Sequence, residues 1–186
     1  SFTAPLAFTI SLVAKQSTAE RRVAVTCGRF NLLHLGHVNL LAVMASFADK
    51  VVIGLSNSSS LLPLASRRAV LQKVLDDLEF ESTVFQIVEG HQPFEIFDQI
   101  DAAYPGDVLA VFGEENHSLA TAVKWSYGWD TKLIDRLTSS AAIRAHIDGQ
   151  EWDCLAHLVP GVILRDVINL RILESANAQV HSHQTS

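Results

Sequence analysis

The sequence predicts an α/β domain: a doubly wound, five-stranded parallel sheet with further helices at its C-terminal end. Three observations predict it. Short β-branched or apolar runs alternate along the chain with stretches whose apolar residues recur at helical spacing. Most of those runs are continuously apolar, the pattern of strands covered on both faces. No internal repeat or low-complexity segment interrupts the alternation, and 186 residues that are 48% hydrophobic and 18% charged suffice for one self-supporting core.

The elements follow in order. Residues 1–21 read as an N-terminal arm: FTISLVA alternates weakly and KQSTAERR is polar. RVAVT (22–26) is the first strand, CGRFNLLHLGH the loop after it, and VNLLAVMASFA (38–48) the first helix. KVVIGLS (50–56) is a second buried strand, and SRRAVLQKVLDDL (66–78) carries a helical pattern. STVFQIVE (82–89) alternates as a third strand, PFEIFDQIDAAY (93–104) is helical, and DVLAVFG (107–113) is a fourth strand. A helix over 117–127 precedes a fifth strand, TKLID (131–135). SSAAIRAHIDG (139–149) is a helix closed by Gly149, and helical pieces follow over 151–158 and 161–174. The main domain thus runs 22–174, and 175–186 is a polar tail.

Composition narrows the function. A net charge of -6 argues against nucleic acid or an anionic membrane as partner, although one triphosphate still fits a locally basic pocket. Cys27 and Cys154 lie far apart without CxxC partners, so neither a disulfide framework nor a zinc site is expected, and a reducing cytoplasm is the simpler setting. The apolar stretch Phe2 to Ala14 is interrupted and too short to span a bilayer, so it is expected to be neither signal peptide nor anchor.

In doubly wound sheets, ligands bind beyond the carboxyl ends of the strands, where strand order reverses. The loop after the first strand is the place to look. Gly28 ends that strand, Gly36 precedes the helix, and His34 and His37 stand three residues apart around it. A helix beginning near His37 directs unpaired N–H groups and the positive end of its dipole at an anion. Arg29 adds a forked cation suited to phosphate. The Walker motif is absent, so this cradle is not that of a P-loop ATPase.

GRFNLLHLGH (28–37) resembles the HxGH signature of the nucleotidylyltransferase superfamily, and SSAAIR (139–144) resembles its second motif, a Ser/Thr-rich helix start ending in Ile-Arg. Within the superfamily, VFGEEN (111–116) and IDGQEWDCLAHLVPGVI (147–163) are most similar to archaeal-type nicotinamide-nucleotide adenylyltransferases. The resemblance covers about residues 22–173 and implies a Rossmann-like fold. The activity it implies is attack of an acceptor phosphate on the α-phosphorus of a triphosphate, with pyrophosphate leaving and no covalent enzyme intermediate. It implies catalytic roles for His34, His37 and Arg144. Gly28, Arg29, Phe30, Gly36, Ser139 and Ser140 would bind nucleotide, with Mg²⁺ carried by the triphosphate and no protein metal ligand. ATP, or CTP, and a phosphorylated small molecule are the implied partners, and a homo-oligomer stays open.

Asn116 is a candidate for acceptor contact and equally for capping the next helix. Trp125 and Trp129, with Tyr127, form an aromatic group that would stack a base or simply pack. Glu114 and Glu115 would orient a ribose or stand as an exposed acidic pair. The chain also departs from the family. Asn31 and Leu32 replace a Gln-Pro, Ala141 replaces a Thr, and no lysine occurs between Val51 and Gln72, leaving Arg67 or Arg68 to substitute. NLLHLGH is closer to the cytidylyltransferase motif. A cytidylyltransferase is therefore the alternative enzyme, and a non-catalytic binding protein of the same fold is the alternative class.

Overall fold

The computed structural model describes residues 22–58, 62–77, 82–135 and 140–159; for Ser140 only the backbone is described. The arm, Ser139, the 161–174 helix and the tail lie outside the described residues. Five parallel strands form one sheet: β1 (Val23–Gly28), β2 (Lys50–Ser56), β3 (Val84–Gly90), β4 (Val108–Gly113) and β5 (Asp130–Ile134), in the order β3-β2-β1-β4-β5. The helices are α1 (Leu35–Phe47), α2 (Leu64–Asp77), α3 (Pro93–Ala103), α4 (His117–Tyr127), α5 (Ser140–Asp148) and α6 (Trp152–Leu158), with a 3₁₀ turn at Glu114–Asn116.

Register explains the apolar runs. Val23 pairs with Lys50 on one side and Val108 on the other, so β1 sits centrally and both its faces are buried. Alternate residues therefore enter two cores. Ala24, Val51, Ile53, Leu55 and Val111 face Leu41 and Met44 of α1, Leu71 and Val74 of α2, and Ile143 and Leu155 of α5 and α6. Val25, Cys27, Val52, Ala110 and Phe112 face Ile96, Phe97 and Ile100 of α3 and Ala120 and Val123 of α4. β3 and β5, at the edges, keep the partly exposed pattern that their weaker hydrophobicity dictates. α3 comes unusually close to β2 because Gly54 has no side chain: a Cβ there would stand 2.8 Å from Ile96 Cγ2 and 3.1 Å from Cys27 Sγ.

β2 and β3 lie on one side of β1, and β4 and β5 on the other. Strand order thus reverses between β1 and β4, and their carboxyl ends splay into a crevice. Among the described residues, no helix is long and apolar enough to cross a membrane.

Candidate active site at the carboxyl end of the sheet

The β1–α1 loop builds one wall of that crevice. The helix starts at Leu35, three residues before the expected 38, because His34 is its N-cap. His34 Nδ1 accepts the Gly36 N–H at 3.1 Å, and His37 Nδ1 accepts the His34 N–H at 3.2 Å. This is a capping box made from two imidazoles, where Ser and Glu are the usual pair. The rings stack, with centroids 3.9 Å apart and planes at 27°.

The two bonds fix the chemistry of the rings. A nitrogen that accepts from a backbone N–H carries no proton, so each neutral ring bears its proton on Nε2. Burial, and then the neighbouring His34, push the His37 pKa down to about 3. At neutral pH His37 is therefore an uncharged donor and not a cation. Phe30 completes the wall: its φ of 50° places a non-glycine residue in the left-handed region, a strained choice concentrated at functional sites. Its ring lies 4.9 Å from His37 and against Gly28, where a Cβ would meet it at 3.3 Å. Asn31 Oδ1 is buried without a hydrogen-bond partner.

The opposite wall comes from β4 and β5. Thr26, Cys27, Gly28, Phe30, His34, Gly36, His37 and Leu40 face Gly113, Glu115, Asn116, Ile134 and Asp135 across a cleft of about 150 Å³. Glu114 hydrogen-bonds Asp135, and that bond, with the charges of Asp135 and Glu115, raises the Glu114 carboxyl above its ordinary range. Burial pushes the Cys27 thiol up to about 12, so it is no nucleophile at neutral pH.

The structure brings some sequence-assigned residues together and not others. Gly28, Phe30, His34, Gly36, His37 and Asn116 line the cleft. Asn116 precedes α4 but makes no side-chain cap there. Arg29 and Arg144 are exposed and do not belong to the lining. Trp125 is 85% exposed on α4, away from the cleft. Trp129 is 3% exposed, stacks on Tyr127 at 4.7 Å and donates to Asp101, so its ring serves the α3–α4 core. Arg67 does not stand in for a phosphate lysine. Buried at 1% exposure, it donates to Leu62 O, Arg29 O and Ser56 O at 3.0, 2.6 and 2.8 Å, clamping the loops behind the cleft. Arg68 pairs with Glu89. Ser139 and the Ser140 side chain lie outside the described residues. Asp135 and Thr26 escaped the sequence reading, although Asp135 had a signal: it directly follows β5, next to the 3₁₀ turn after β4 that carries Glu115.

The cytidylyltransferase-like family profile matches residues 25–145. The chain belongs to the cytidylyltransferase-like family. Among curated relatives, the bifunctional protein HldE of Geobacter sulfurreducens is 30% identical over 137 residues, 66% of this chain and 26% of its own. HldE of Geotalea uraniireducens is 31% identical over 97 residues, 45% of this chain and 20% of its own. This cytidylyltransferase-like chain thus spans about a quarter or less of those relatives' length. Among solved structures, a provisionally named nicotinate-nucleotide adenylyltransferase of Vibrio parahaemolyticus superposes with a TM-score of 0.62 at 17% identity, over 81% of this chain and 93% of that one. Thermotoga maritima TmcAL bound with α-thio ATP gives 0.53 at 15% identity, over 80% and 55%. At these identities the structures show a shared fold.

Proposed function

We propose that this chain transfers a nucleotidyl group from a nucleoside triphosphate to a phosphorylated small molecule, releasing pyrophosphate, and that the first pair to test is ATP with nicotinamide mononucleotide. The observation that carries the reading is the His34–His37 pair, whose Nδ1 atoms are both held by backbone N–H groups at the start of α1. Two Nε2–H donors fixed in advance at a helix N-terminus suit the oxygens of an α-phosphate on which charge builds during in-line attack. Neutral donors lower the barrier without drawing the leaving pyrophosphate into a tight ion pair. Gly28, Gly36 and Asn116 line the cleft, and in this reading the glycines leave room for the phosphates while Asn116 contacts the acceptor. In this reading Arg29, Arg144, Ser139 and Ser140 hold the β- and γ-phosphates as those groups extend out of the cleft.

Mg²⁺ belongs to the same reading. Glu115 and Asp135 would repel a bare triphosphate, and a divalent cation on its oxygens offsets that charge. In this reading the cation arrives on the triphosphate oxygens.

A second reading, cytidylyl transfer, is favoured by Asn31-Leu32-Leu33-His34 and by the family that matches. Pyrophosphate release with ATP or CTP, each paired with nicotinamide mononucleotide or a sugar phosphate, separates the two. ATP-dependent release that falls about a hundredfold in His37→Ala supports the first reading, from the roughly 3 kcal/mol one oriented donor supplies. Release with CTP alone selects the second, and binding without release under every pairing defeats both.

A further inference from the structure

The turn joining α5 to α6 gathers three metal-ligating side chains. His146 lies in the last turn of α5, Glu151 precedes α6, and Cys154 stands in its first turn. One ligand atom from each lies within 4.8 Å of the other two. The backbone explains the convergence. Glu151 N–H donates to His146 O at 2.9 Å and Gln150 N–H to Ile147 O at 3.1 Å, the paired bonds of a Schellman turn. Gln150 takes the left-handed position with φ 55°, which glycine normally fills. A strained residue is thus tolerated where it folds residue 151 back over residue 146, and His146 Nδ1 meets the Glu151 carboxylate.

The base of this corner is rigid. Ile143 and Ile147 of α5 pack with Leu155 and Val159 at α6 in the main core. The ligands themselves face outward: His146 is half-buried, and Glu151 and Cys154 are exposed. Ions can reach them, and their side chains can rotate.

We propose that His146, Glu151 and Cys154 bind a zinc ion that staples α5 to α6. One imidazole nitrogen, one carboxylate oxygen and one thiolate sulfur form a borderline-soft donor set, which zinc accepts and magnesium or calcium does not. Bond lengths of about 2.0–2.3 Å at tetrahedral angles put ligand atoms roughly 3.5 Å apart. The three ligand atoms stand within 4.8 Å of one another, and a bound ion would draw the exposed Cys154 thiol and Glu151 carboxylate in to that spacing. Binding releases the thiol proton to solvent as the Zn–S bond forms, and the fourth position is left for water. None of the three residues lines the nucleotide cleft, so the site is separate from it.

The test uses the full chain with the tail histidines removed (H181A with H183A), titrated with Co²⁺ and then with competing Zn²⁺. The expected result is one equivalent of Co²⁺ with a thiolate-to-cobalt charge-transfer band that Zn²⁺ bleaches. C154S and C154A lose the band, H146Q and E151Q weaken binding by about tenfold or more, and circular dichroism of all four matches the parent. No band, a band that survives in both Cys154 variants, or undiminished affinity in both H146Q and E151Q would overturn the site.

Discussion

Arg67 offers the sharpest quantitative test of how the cleft is held. Its guanidinium is 1% exposed and serves three backbone carbonyls, Leu62 O, Arg29 O and Ser56 O, from chain segments on either side of the β1–β2 seam. Arg67→Met keeps the apolar stem and removes all three donors. Each buried carbonyl left without a partner costs about 1–3 kcal/mol. Because Arg29 lies at the surface, water recovers part of that loss, leaving about 3–5 kcal/mol. With a urea slope of about 2 kcal/mol/M, the unfolding midpoint falls by roughly 1.5–2.5 M. Arg67→Lys keeps one donor group and lands between. Since Arg29 opens the loop that carries His34, either variant also raises the triphosphate Kd. A midpoint for Arg67→Met within about 0.3 M of the parent would refute the clamp, because losing a buried bond to Ser56 O together with two part-buried ones cannot be so cheap.

Other consequences follow from single contacts. Gly54→Ala drives a methyl to 2.8 Å from Ile96, and thermal denaturation should show a loss of about 1–3 kcal/mol. Trp125→Ala, at an exposed position outside the cleft, should leave stability within about 0.5 kcal/mol and triphosphate affinity unchanged in calorimetry. His34→Ala removes the α1 cap and should cost about 1 kcal/mol in urea unfolding, with a larger loss in turnover. His37 also sets a pH dependence. Its folded pKa, about 3, lies below the unfolded 6.5, so the unfolded chain takes up the proton first. Stability is unaffected above pH 6.5 and falls by up to about 1.4 kcal/mol per unit as pH drops below it, a slope that His37→Gln should remove from urea midpoints at pH 7 and 5.

The sheet was legible because β1, β2 and β4 are buried on both faces, which forces apolar runs that no exposed element would carry. The start of α1 was misplaced by three residues because His is rarely an N-cap, and nothing in the local pattern announces a histidine pair doing the work of Ser and Glu. The histidines themselves were legible from their glycine-bracketed loop. Arg67 was misread because spacing says only that a cation is near; its burial against three carbonyls depends on contacts from residues up to 38 apart. Trp129 stayed open between stacking on a ligand and packing for a similar reason, since an aromatic cluster looks alike whether it meets a ligand or Phe97. Asp135 went unnoticed because a lone acid at a strand end acquires meaning only when β4 and β5 pair and bring it to Glu115 and Glu114.

The most direct measurement is long-range ¹⁵N–¹H imidazole spectroscopy of His34 and His37, with and without a magnesium–triphosphate complex. Two neutral rings with bare Nδ1 and protonated Nε2 are expected at pH 7, with His37 unchanged down to about pH 5 and both Nε2–H signals moving when the nucleotide binds. A charged His37 at pH 7, a proton on either Nδ1, or signals indifferent to every triphosphate would contradict the account.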